Sequence, residues 1–183
     1  MARFHVALLL AVPLACQRRP SREETAATRH PRAQITIDTT LRPFAADSIV
    51  LERGVCFGEC PAYRVAVTRD RLIHFESRTP SDSGRKAADS LATDRPFMAL
   101  AEGVLTSGFV GLPDSIATDE RFGAYCVTDN PAAVVTVYFG TRSKRVVDYL
   151  GCMWGPAALR ELEDKIDRVS RSARWARRAR VGS

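Results

Sequence analysis

The sequence predicts an α+β fold: an antiparallel sheet of four or more strands with two helices on one face, arranged as two successive β-β-α units. Two observations carry that expectation. Apolar residues alternate with polar ones through residues 63–77 and again through 133–150, as they do in half-buried strands. Each stretch is followed by a run whose apolar residues recur at three and four, opened by Pro96 in the first case and Pro156 in the second. A sheet and a pair of amphipathic helices each have one apolar side to bury, and laying the helices on the sheet buries both.

The first strand is expected at Ser48-Ile49-Val50-Leu51, with Ile35-Thr36-Ile37 as the alternative start. Next, Tyr63, Val65 and Val67 alternate with Arg64, Ala66 and Thr68, Arg69-Asp70-Arg71 turns the chain, and Leu72 begins the return. Placing Thr68 opposite Leu72 sets Val67 against Ile73, Val65 against Phe75 and Tyr63 against Ser77. Arg64 then lies opposite Glu76 on the other side. A slip of one residue would scatter the large apolar groups over both faces. Residues 81–92 read as a polar connection. Phe97, Leu100, Ala101, Val104 and Leu105 define one face of a helix that ends before Gly108, and residues 111–123 read as loop. A strand over 133–139, a turn over 140–144 and a return strand over 145–150 form the second hairpin. Both of its faces hold apolar groups (Val135, Val137 and Phe139 against Val134 and Tyr138), so the pattern leaves open which one meets the helices. Gly155-Pro156 opens the second helix, with Leu159, Leu162, Ile166 and Val169 on one face and Arg160, Glu161, Asp164 and Arg168 on the outer one.

The termini set the expected context. Met1-Ala2-Arg3 precedes a nearly unbroken apolar run over residues 4–15, too short to span a bilayer as a lasting helix, and Ala15 stands directly before Cys16. This order resembles the signal and lipobox of bacterial lipoproteins, in which the cysteine is acylated and becomes the new N-terminus. Residues 1–15 are therefore expected to be a signal peptide and Cys16 the lipidation site. Gln17 in place of an aspartate favours the outer membrane where a bacterium has two. Residues 16–45, rich in Arg, Thr and Pro, read as a flexible tether, 46–170 as one α+β domain, and 171–183 as a basic tail. Arg171, Arg174, Arg177, Arg178 and Arg180 supply five of the six net positive charges, so the body of the protein is nearly neutral and nucleic acid is not an expected partner. The expected partners are the membrane, through lipid on Cys16, and an envelope protein or polymer. Trp175 among these arginines suggests a weak contact with anionic lipid.

Five cysteines are an odd number for an exported chain. Assigning Cys16 to acylation leaves Cys56, Cys60, Cys126 and Cys152, which pair off completely. The favoured bridges are Cys56–Cys60 and Cys126–Cys152, because the second pair brackets the open end of the second hairpin. A bridge from either cysteine of the first pair to the other half remains the alternative. The block Cys56-Phe57-Gly58-Glu59-Cys60-Pro61-Ala62-Tyr63 is the most distinctive part of the folded region. Together with Thr128-Asp129-Asn130-Pro131, Val147-Asp148-Tyr149, and Pro156 leading to Ile166-Asp167, it resembles an uncharacterised bacterial family, domain of unknown function 6438, over residues 47–169. That resemblance implies an envelope-associated α+β domain and supplies no activity.

A Cys-x-x-x-Cys-Pro string also resembles copper chaperones of the thioredoxin fold, where a following helix lowers the thiol pKa. Here a strand follows Pro61, so the activating helix is missing. His74, opposite Ala66, lies about 20 Å along the strand from Cys60 at roughly 3.3 Å per residue, out of reach of a shared metal. Asp114, Asp119 and Glu120 read as a solvated turn, and no metal site or cofactor is expected. Nucleophile elbows, phosphate loops and Ser-His-Asp sets are absent from the sequence, so the protein is not expected to be an enzyme. A polar patch of Tyr125, Asp129, Asp148 and Tyr149 at one sheet end is the candidate surface. The functional expectation is a tethered envelope lipoprotein whose domain binds a macromolecule or acts as a structural accessory. The alternatives are a thiol-disulfide or copper-handling protein using Cys56 and Cys60, and an inhibitor-like domain for an extracytoplasmic hydrolase.

Overall fold

The structure is a computed structural model that describes residues 45–58 and 60–176. The expected signal peptide, Cys16, the expected tether up to residue 44 and the basic residues 177–183 lie outside the described residues. Six antiparallel strands form one sheet: β1 (Ser48–Arg53), β2 (Tyr63–Thr68), β3 (Leu72–Ser77), β4 (Lys86–Ser90), β5 (Ala132–Phe139) and β6 (Arg142–Tyr149), in the order β4-β3-β2-β1-β5-β6. Helix α1 (Arg95–Thr106) follows β4 and α2 (Ala157–Ser170) follows β6. The fold is thus α+β, with β5-β6-α2 a plain β-β-α unit and the first unit enlarged by β1 and β4.

Strand β1 joins the two halves. Ile49 pairs with Val67 of β2 on one side and Val137 of β5 on the other, and Leu51 pairs with Val65 and Val135. These residues share one face with Tyr63, Ile73, Phe75, Ala133, Phe139 and Val146, and all are buried in one cluster with Phe97, Leu100 and Val104 of α1 and Leu159, Leu162 and Ile166 of α2. The β2–β3 register is the one read from the sequence, including Val65 opposite Phe75 and His74 opposite Ala66. In the second hairpin it is Val135, Val137 and Phe139 that meet the helices, while Tyr138 faces away and is exposed. Side by side, the helices meet tightly at Gly103, where an added Cβ would lie 3.1 Å from the Leu162 Cδ1.

Several expectations are corrected. Residues 86–90, read as part of a polar connection, are edge strand β4. The second turn is tighter than expected: β6 begins at Arg142, and Gly140 sits at φ 61°, a left-handed conformation that glycine adopts without a Cβ clash. Leu105 is half exposed at the end of α1 rather than on its buried face. Residues 111–123, read as loop, are more ordered than that: the Ile116 N–H donates to the Val147 carbonyl (2.9 Å) and the Val147 N–H to that of Asp114 (2.9 Å), so a parallel bridge covers the outer edge of β6. The start of the expected basic tail folds back as well. Trp175 packs on Phe75 with ring centroids 5.4 Å apart, Arg174 pairs with Asp89, and Arg85 donates to the Trp175 carbonyl. Trp175 is thereby partly buried against the core, with the Arg174 guanidinium over its ring.

Candidate functional site

Both disulfides lie at one end of the sheet, where β1 and β6 finish and β2 and β5 begin. Cys56 is joined to Cys60 in the connection from β1 to β2. Cys126 is joined to Cys152, and around that bond two short segments pair as a ribbon: the Val127 N–H donates to the Gly151 carbonyl and the Met153 N–H to that of Tyr125, both at 2.9 Å. The sheet brings the two cystine segments together through β1 and β5, since the Gly54 N–H donates to the Ala132 carbonyl (2.8 Å) and the Leu150 N–H to that of Pro131 (3.0 Å). Between them lies a hollow of about 250 Å³ with Cys60 and Pro61 on one side, Pro131 and Leu150 on the other, and Arg53 and Tyr63 in its wall.

The two cystine segments also carry exposed apolar side chains. Of the nine large hydrophobic side chains exposed among the described residues, six belong to this end: Val55, Phe57, Tyr125, Val127, Met153 and Trp154, each more than half exposed. Phe57, inside the small cystine loop, is 94 % exposed. Alternation along the ribbon puts Tyr125, Val127 and Met153 on the same side, opposite the cystine sulfurs.

Beneath the hollow, an ion network ties α2 to the sheet. Arg53 projects from the end of β1 and donates through Nη1 to Glu163 Oε2 (2.8 Å) and through Nη2 and Nε to Asp167 Oδ2 (3.0 and 3.2 Å), with Asp164 at 3.4 Å. Tyr63 donates its hydroxyl to Asp167 Oδ1 (2.5 Å), and Ser172 does the same (2.6 Å). Burial, and after it the charge of Asp167, pushes the Tyr63 phenol up to about 12, so it stays a donor. On β6, the fully buried Asp148 accepts from Arg160 Nε (3.0 Å), whose other end donates to the Cys152 carbonyl (2.8 Å). The second cystine is thereby anchored to α2.

The four residues of the expected polar patch divide. Tyr149 accepts from the Asn130 N–H at its hydroxyl (3.1 Å) and so meets the 128–130 turn, where Asp129 is exposed at φ 64°. Tyr125 is exposed on the neighbouring ribbon. Asp148 does not join them. One residue from Tyr149, it points to the opposite face of the sheet, because side chains alternate along a strand, and it is buried against α2. Arg160, assigned from the helical pattern to the outer face of α2, is the partner that follows it inward. Glu163 was not singled out by its spacing; it lies four residues before Asp167 on the same face of α2, and only a buried cation from elsewhere explains it. Among the described residues no group of three or more His, Cys, Asp or Glu side chains is placed to hold a metal ion. No described helix is long and apolar enough to cross a membrane.

Residues 47–170 match the family model described as Domain of unknown function (DUF6438). The chain belongs to this family. The matched span runs from the start of β1 to the end of α2 and includes both cystines, the hollow and the network around Arg53. A search of curated proteins finds no match to the chain.

Proposed function

We propose that this DUF6438 protein is a lipid-anchored envelope protein whose domain is a non-catalytic binding module, and that it engages a polypeptide partner through the cystine end of the sheet. The observation that carries the reading is the concentration of six exposed apolar side chains on the two segments fastened by disulfides at one end of the sheet. Monomeric surfaces rarely gather such groups in one place, and Trp, Tyr, Phe and Met are the side chains that dominate protein interfaces. Holding the loops covalently lowers the ordering entropy that binding costs. Within the described residues, β1 begins at the opposite end of the sheet from the patch. Disulfides suit an exported domain.

Photo-crosslinking groups at Phe57 and Trp154, with a control at Tyr138 on the opposite face, test this in the native envelope. Crosslinks to a polypeptide from the first two positions alone are expected, and Cys16→Ser should release the protein from the membrane fraction. Crosslinks to lipid, or equal capture from all three positions, would overturn the reading. Ready reversible reduction of Cys56–Cys60 near a glutathione poise would point to thiol exchange instead.

A further inference from the structure

Two guanidinium groups reach between α2 and the sheet, and three carboxylates meet them. Arg53 faces Glu163 and Asp167, and Arg160 faces Asp148. Asp148 and Glu163 are 0 % and 1 % exposed, and each keeps one oxygen, Asp148 Oδ1 and Glu163 Oε1, buried with no hydrogen-bond donor. A buried anion with a bare oxygen is costly, and two such anions within electrostatic reach of each other are costlier still. One proton on Glu163 eases both faults: it leaves three largely buried negative charges as two, matching the two cations, and it removes the charge from a carboxyl whose second oxygen has no donor.

We propose that Glu163, buried near Asp148, holds a proton in the folded protein, and that its release to solvent loosens α2 from the cystine end of the sheet. The groups facing Glu163 are Arg53 from β1, Asp148 from β6, the Tyr63 hydroxyl of β2 acting through Asp167, and Arg160, Asp164 and Asp167 from its own helix. Glu52 of β1 and Tyr138 of β5 lie on the far face of the sheet, and Arg95 and Glu102 of α1 are exposed. Burial raises the Glu163 carboxyl from 4.5 to about 7; Arg53 opposes the rise and Asp148 adds to it. The native protein then keeps a proton that the unfolded chain has lost. Stability is therefore full below about pH 4.5, falls as pH rises toward 7, and levels off above. Arg53 is one bond from Glu163 and walls the hollow, so the proton reports directly on the candidate site.

Infrared titration of the intact oxidised protein reads the proton itself. A carbonyl band of a protonated buried carboxylic acid is expected at about pH 6, lost by about pH 8, and absent in Glu163→Gln. The urea midpoint of the native protein should fall between about pH 5 and pH 8 and stay level in Glu163→Gln, whose amide is neutral and does not titrate. Absence of the band at about pH 6, or midpoints that fall in parallel for the two proteins, overturns the proposal. Should the variant fail to fold, the titration of the native protein decides alone.

Discussion

Arg53 is held by carboxylates from three positions on one helix while its own strand lies in the centre of the sheet, so its side chain is the tie between layers. Its value is best seen in what removal leaves behind. Arg53→Met keeps the stem but strips Glu163 and Asp167 of their cation, and breaking a mostly buried pair from one side costs about 3–5 kcal/mol. Urea unfolding at neutral pH should show a loss of that order, smaller at acid pH where Glu163 needs no partner. Tyr63→Phe removes one donor to Asp167, a charged acceptor that Ser172 and Arg53 still serve, and should cost about 1.5–3 kcal/mol. By contrast Arg78, paired with Glu52 at the surface, should tolerate alanine with a loss of about 1 kcal/mol or less. None of these roles was readable locally. A lone Arg at the end of a strand and Glu163 within a charged helix look solvated, because a side chain's neighbours in sequence say nothing about the cation or carboxylate arriving from another strand.

At the scale of elements, what periodicity controls was legible and what templating controls was not. The β2–β3 register follows from Tyr63, Val65 and Val67 against Ile73 and Phe75, since only one pairing places them all on one face. Strand β4 has no such signature. Lys86-Ala87-Ala88-Asp89-Ser90 lacks the β-branched and aromatic residues that favour strands, and it extends because the open edge of β3 offers hydrogen-bond partners. The disulfides act at this level too. Cys126–Cys152 closes a 27-residue loop in a chain-entropy sense and should contribute roughly 3.5 kcal/mol, against about 2 for the five-residue loop of Cys56–Cys60. Replacing each pair by serine should therefore lower the urea midpoint more for the first than for the second. A reversed order would mean that the small loop does more than pin a turn. Gly140→Val should cost about 1–2 kcal/mol, because its φ of 61° is one that a β-branched residue adopts only with strain.

For the molecule as a whole, the notable asymmetry is between its two sheet ends. Apolar residues are exposed at the cystine end, and β1 begins at the other. If that end is a binding surface, its side chains contribute to association and little to folding. The double variant Phe57→Ser, Trp154→Ser should unfold within about 0.5 kcal/mol of the parent while losing its crosslinked partner. A large loss of stability would show instead that these side chains belong to the fold. The candidate surface was only partly visible beforehand. The cysteine block marked its location, yet Tyr125, Val127, Met153 and Trp154 lie far along the chain from Phe57 and converge only because β1 pairs with both hairpins.

The amino-acid order by itself determined the class of fold, the register of the first hairpin and the positions of both helices. Each of these depends on spacing between near neighbours, and a period of two or of three to four is written along the chain. Tertiary structure alone decided that β4 is a strand, that Trp175 closes over Phe75, that Asp148 leaves Tyr149 for the buried face, and that Glu163 is buried near it. Those outcomes depend on which surfaces face each other after the chain has crossed the sheet, and burial between layers assigns an orphan oxygen or a proton that no local pattern records.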